Sequence, residues 1–132
     1  MRNGVLFVSP SIEHAEVLSG MLTPLSIPLA HVQDLQRALS KLEHEAFGVV
    51  LTEADLPDGS WLDVMKTVGK ERRSTAVIVT CSFADASFWA DVMDLGAYDL
   101  LPQPFCRSEV QRIIKNALSA PPGFLKMAHT AL

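Results

Sequence analysis

The chain has 132 residues, 48% of them hydrophobic, which suits one compact domain with a core large enough to need no disulfide or metal staple. Eleven basic against fifteen acidic residues give a net charge of −4, and the densest basic stretch is Lys70-Glu71-Arg72-Arg73, so the electrostatic footprint of a nucleic-acid or anionic-membrane binder is excluded. Two cysteines, Cys81 and Cys106, lack ligand spacing and point to a reducing, cytoplasmic setting; the apolar run from Val5 to Val8 is too short for a signal or membrane segment.

In chain order, Val5-Leu6-Phe7-Val8 is a continuous apolar run, the mark of a strand covered on both faces. Ser11 caps a helix whose apolar residues Ile12, Ala15, Leu18 and Leu22 recur at helical spacing until Pro24. Ile27 to Val32 reads as a weaker strand, with Pro28 tolerated only at a sheet edge. Asp34 caps the next helix, with Leu35, Ala38, Leu39 and Leu42 as its stripe. Phe47 to Leu51 is a third strand, Leu62, Met65 and Val68 mark a third helix, and Ala76 to Thr80 a fourth strand. A helix after Asp85 carries its core stripe through Trp89, Val92 and Met93, which turns Phe88 to the side as an exposed aromatic. Tyr98 to Leu101 is a fifth strand, and Val110, Ile113, Ile114, Ala117 and Leu118 line the last helix. Five uninterrupted βα units predict a doubly wound parallel sheet. The domain is expected over residues 1–120, with Pro121-Pro122-Gly123 opening a tail or linker over 121–132.

Three stretches carry chemistry or its remains. Val49-Val-Leu-Thr-Glu-Ala-Asp-Leu-Pro-Asp-Gly59 ends a strand in two carboxylates, Glu53 and Asp55, placed over the crevice at the strand's carboxyl end. Val77-Ile-Val-Thr-Cys-Ser82 and Leu95-Gly-Ala-Tyr-Asp-Leu-Leu-Pro-Gln-Pro-Phe105 follow at the ends of the next two strands. In this order the three resemble the signatures of the receiver domain of two-component response regulators, over about residues 4–119. The resemblance implies a flavodoxin-like (βα)5 fold with strand order 2-1-3-4-5. It also implies a phosphoacceptor aspartate on strand 3 served by a histidine kinase, an acid pair holding Mg²⁺, and a Thr/Ser and a Lys on the phosphoryl oxygens.

Carried over residue by residue, the pattern departs at each of these positions. The acid pair falls on Ser9 and Pro10, the phosphoacceptor on Glu53, the Thr/Ser on Cys81 (followed by Ser82), the Lys on Gln103 and the switch aromatic on Leu100. Mg²⁺ requires concentrated hard oxygen ligands, so binding is expected to be weak or absent, and no other cofactor is implied. Glu53 is either a built-in mimic of the phosphorylated state, reaching Ser82, Cys81 or Gln103, or a solvated relic. The expected function is that of an atypical receiver acting through protein contacts, not an enzyme. The alternative is a residual phosphoacceptor or small-ligand pocket at Glu53, Asp55 and Gln103.

The implied contact face is helix 4, strand 5 and helix 5, with Phe88, Asp91, Asp94, Arg107 and Arg112 as interface candidates beside Glu109 and Gln111, for a homodimer, histidine kinase or effector. Cys81 has no cation near it in sequence and reads as an inert small residue sooner than a redox thiol. Trp61 reads equally as a lid beside the site or as packing. His14, His31, His44 and His129 are scattered without ligand spacing and read as surface or satisfied polar residues.

Overall fold

In the computed structural model, residues 3–71, 75–83 and 85–119 are described. Strands β1 (Val5–Val8), β2 (Leu29–Val32), β3 (Val49–Glu53), β4 (Ala76–Cys81) and β5 (Asp99–Pro102) form one parallel sheet in the order β2-β1-β3-β4-β5. Helices α1 (Ile12–Leu22), α2 (Leu35–His44), α3 (Trp61–Glu71), α4 (Ala86–Asp94) and α5 (Arg107–Ser119) follow the strands one by one. This is the expected flavodoxin-like arrangement. The expected linker start at Pro121, like His129 and the basic pair Arg72-Arg73, lies outside the described residues.

Side-chain alternation along the strands divides the core between the two faces. Val5, Phe7, Val49, Leu51 and Ile78 pack under α1 and α5 through Leu18, Leu22, Val110 and Ile114. Leu6, Val8, Val50 and Val77 pack under α2 and α3 through Ala38, Leu42, Val64 and Val68. Since both faces are covered, β1 is fully buried along its length, which is why it reads as an unbroken apolar run.

Boundaries shift where backbone groups decide them. β2 starts two residues later than its apolar pattern, because Ser26 turns the chain with a positive φ of 57° and Pro28 has no N–H for the ladder. As an edge strand, β2 tolerates that loss. β3 runs on through Thr52 and Glu53, which pair with Val79 and Thr80 of β4. Instead of a bare turn, the Leu-Pro-Asp-Gly stretch closes a two-residue antiparallel hairpin, Asp55–Leu56 against Gly59–Ser60.

Two residues of that hairpin fix it to its surroundings. The Asp58 carboxylate accepts the backbone N–H groups of Leu35 (2.8 Å) and Gln36 (3.0 Å), so it caps α2 from outside while Asp34 caps it from within by accepting from Arg37. The Leu35 amide, more than any other group, holds the Asp58 carboxyl below the usual carboxylate range. At Gly59 a Cβ would lie 2.6 Å from Leu35 Cδ2 and 2.8 Å from Asp63 Oδ2, and that Asp63 oxygen already accepts the Ser60 N–H. A larger residue there would have to push aside the Leu35 and Asp63 side chains.

Candidate functional site

The carboxyl ends of β1, β3, β4 and β5 bring together Ser9, Glu53, Thr80 and Gln103. Ser9, fully buried just beyond β1, donates its hydroxyl proton to Glu53 Oε2 at 2.5 Å and accepts the Ser11 N–H at 3.0 Å. Ser11 is the N-cap of α1, and its side chain accepts the His14 N–H at 3.1 Å. That cap sets the first turn of α1 so that His14 Nδ1 lies 3.0 Å from Glu53 Oε2. With an ionised carboxylate opposite, Nδ1 carries the proton and donates it. On the other side, Gln103 Nε2 lies 3.2 Å from both Glu53 Oε1 and Thr80 Oγ1, while Thr80 gives its own proton to the Leu101 carbonyl at 2.6 Å.

Glu53 is therefore held by three side chains from three different segments, and only 17% of its side chain is exposed. His14 is the one basic side chain paired with it among the described residues, an ion pair when the ring is protonated. The sequence reads His14 as a scattered surface or satisfied polar residue; the structure makes it a partner of Glu53 in the site. A partial signal was present: a helix capped directly after β1 begins over the strand ends, though the sequence does not show which of its side chains meets Glu53. His31 joins from β2, with its Nε2 2.8 Å from the Ser9 carbonyl and its ring stacked on Phe7. The His14 ring also meets Phe105 edge-on, with centroids 5.5 Å apart.

The other sequence-derived positions lie apart from this cage. Pro10, Asp55 and Ser82 are exposed and give Glu53 no hydrogen bond. Cys81 donates to the Phe83 carbonyl at 3.3 Å instead of to Glu53. Leu100, at the switch-aromatic position, is fully buried among Trp61, Val79, Val92 and Ala97 as a packed core residue. Trp61 belongs to that same buried cluster and is not a lid. No group of three or more His, Cys, Asp or Glu side chains among the described residues is placed to hold a metal ion.

On α4 the sequence expectation is reversed. Phe88 turns inward and half-buries against Trp61, ring centroids 6.2 Å apart and edge-to-face, whereas Trp89 is 41% exposed. The helix is rotated by one residue relative to the stripe because Phe88 and Val92, one turn apart, both meet the Trp61 cluster. Asp91, Asp94, Arg107 and Arg112 are exposed as expected; Gln111 is instead tied to α1, donating to the Met21 carbonyl at 2.8 Å.

The two thiols differ in their surroundings. Burial pushes the Cys81 thiol up, with the nearby Asp55 and Glu53 charges adding to it, whereas the Ser108 hydroxyl and the Glu109 amide pull the exposed Cys106 thiol down. Iodoacetamide near neutral pH should therefore alkylate Cys106 first. Peptide mapping that finds Cys81 labelled first would contradict this placement of charge around the site.

Residues 5–115 match the response regulator receiver domain family. The chain belongs to it. This receiver is 24% identical over 117 residues to the response regulator protein PilR of Pseudomonas aeruginosa, covering 89% of the chain but 26% of that protein. It is 26% identical to the DNA-binding transcriptional regulator NtrC of Proteus hauseri, covering 82% of the chain and 22% of that protein. The receiver thus spans about a quarter of the length of these curated relatives. Among solved structures it resembles a signal receiver domain assigned to a Luxo repressor protein of Vibrio parahaemolyticus, with a TM-score of 0.83, 20% identity and coverage of 99% and 98% of the two chains. It also resembles the beryllofluoride-activated NtrC4 receiver domain dimer, with a TM-score of 0.82, 22% identity and coverage of 88% and 96%. No helix among the described residues is long and apolar enough to cross a membrane.

Proposed function

We propose that this receiver signals through protein contacts and does not depend on accepting a phosphoryl group. The observation that carries this reading is the state of Glu53, whose two carboxylate oxygens are occupied by donors from Ser9, His14 and Gln103. The three donors fix the carboxylate's orientation and leave one lone pair, on Oε1, whereas phosphoryl transfer also needs cations on the far side of the phosphorus to take up the developing charge. Here the one basic side chain at the site, His14, sits on the carboxylate itself. The donor set does not suit Mg²⁺ either, since Ser9 is a buried neutral hydroxyl committed to Glu53 and Pro10 offers no side-chain oxygen.

The contact to Gln103 also supports a mimic role over that of a solvated relic, because the carboxylate bonds the residue that stands in the place of the family's lysine. A residual phosphoacceptor or small-ligand pocket at Glu53, Asp55 and Gln103 has less support: Asp55 is exposed on the hairpin and Gln103 is already engaged. For output, the surface of α4, β5 and α5 carries Trp89 as its aromatic anchor, with Asp91 and Asp94 on the same helix and Arg112 on α5 as exposed charges. A protein effector or kinase is the partner class this surface suits.

Adding Mg²⁺ and beryllofluoride, a phosphoryl mimic, should leave the amide NMR spectrum of α4 and β5 unchanged. Saturable shifts there would show a working acceptor site and overturn the reading.

A further inference from the structure

We infer that the Glu53 site takes its input as a proton: protonation of His14 tightens a chain of hydrogen bonds that runs from α1 across the sheet to β5. The inference rests on the phosphoryl-independent function proposed above and names the signal that stands in place of the phosphoryl group. The side chains bonded to the Glu53 carboxylate are all donors, from Ser9, His14 and Gln103, and of these only the imidazole belongs to a type whose charge changes between about pH 5 and 8. The His14 side chain is 38% exposed, so the ring exchanges protons with solvent. Nδ1 is committed to Glu53 Oε2 at 3.0 Å, which leaves Nε2 to take up the second proton. That proton makes the Nδ1–H bond charge-assisted, roughly twice as strong as its neutral form.

From β3 the ring faces Glu53, and from the loop after β5 it meets Phe105, with Cys106 and Arg107 next in the chain. Glu13 precedes it on α1 and Glu109 lies in the first turn of α5; neither these acids nor Arg107 pairs with it among the described residues. The other imidazole of the site, His31 on β2, bonds the Ser9 carbonyl. Beyond Glu53 the signal passes through Gln103, whose amide bonds Glu53 Oε1 and Thr80 Oγ1, each at 3.2 Å, while Thr80 gives its proton to the Leu101 carbonyl at 2.6 Å. One chain of hydrogen bonds therefore links α1, β3, β4 and β5. A proton shifts populations only between arrangements that respond differently to the charge it brings. The Gln103 side chain supplies two: bridged between Glu53 and Thr80, or turned away from them. A charged ring fixes Oε2 and so presents Oε1 to Gln103, which favours the bridge; a neutral ring holds the carboxylate more loosely. Acid thus populates the bridged arrangement and rising pH releases it. Leu100, next to Leu101 on β5, packs against Val92 of α4, so the chain ends beside the surface proposed for output.

The test is an NMR titration of the isotope-labelled whole chain from about pH 8 to about pH 5, the range in which histidine changes charge, with neither Mg²⁺ nor a phosphoryl mimic present. The Gln103 side-chain amide and the Leu101 carbonyl carbon should shift with the same midpoint as the His14 ring. In Glu53→Gln the His14 ring should still titrate while Gln103 and Leu101 no longer follow it. In His14→Gln, which puts a residue well accepted at the third position of a helix, the shifts should be lost. His31→Gln and Cys106→Ser should leave them in place. Gln103 and Leu101 signals that stay still in the wild type, follow His31 instead, or keep their shift in His14→Gln overturn the inference, and the wild-type comparison decides even if a variant fails to fold. Such a failure strikes the proton input alone, because no phosphoryl mimic is present; the proposed function itself falls only with the beryllofluoride shifts described above.

Discussion

Incubated with Mg²⁺ and a small-molecule phosphodonor, the protein should gain no phosphoryl mass. Each departure in the site removes a separate contribution to transfer. Ser9 and Pro10 leave no acid pair for the metal, Gln103 brings an amide where a cation is required, and Glu53 is one methylene longer than an aspartate and already bonded at both oxygens. A misplacement of about 1 Å at a reacting atom alone costs on the order of 10²-fold. Loss of charge stabilisation multiplies that cost. Glu53→Asp should therefore not restore acceptance by itself, whereas combining it with Ser9→Asp, Pro10→Asp and Gln103→Lys rebuilds the missing ligands. Intact-mass spectrometry decides the matter: a gain of one phosphoryl group by the wild type that disappears in Glu53→Gln would sink the reading. Acceptance by Glu53→Asp alone would show that the surviving pocket is stronger than its residues suggest.

Replacing Trp61 by alanine should destabilise the fold by about 3–5 kcal/mol, the usual range when a large aromatic is removed from a packed core. Trp61 is 6% exposed, packs with Val79, Val92, Ala97 and Leu100, and carries Phe88 edge-on against its ring. Its removal would open a cavity under α4 and leave Phe88 without its partner. Trp61→Phe should recover most of the loss because it refills much of the volume. Urea unfolding measures both variants, and a loss below about 1 kcal/mol for Trp61→Ala, the level of a surface change, would return Trp61 to a contact role at the rim of the site. Trp89→Ala, by contrast, should stay within about 1 kcal/mol of wild type.

The pair Phe88 and Trp89 shows where sequence reading stops. Adjacent helical residues differ by about 100° in direction, and either one continues an apolar stripe with Val92. What selects Phe88 is Trp61 on α3, which lies 27 positions earlier in the sequence and in no shared helical window. The strands behaved differently. β1, β3 and β4 are buried on both faces, and burial of that kind leaves its mark within a few consecutive residues. The site falls between these cases. Glu53 stands at a strand end and is legible from its position, and Gln103 from the family resemblance, but the bond from His14 depends on how Ser11 caps α1, and only the folded chain brings residue 14 to residue 53.

The tie between Asp58, Gly59 and the start of α2 bears on how such a chain is recognised at all. The Leu-Pro-Asp-Gly stretch reads as the mark of a phosphorylation site, yet Asp58 bonds the amides of a neighbouring helix and Gly59 leaves room for Leu35 and Asp63. Neither touches Glu53. The lettering that announces the chemistry is carpentry here: it is a joint between the hairpin and α2, independent of any reaction beside it. Inheritance of the frame and inheritance of the reaction are separate matters, and this stretch is a record of the first.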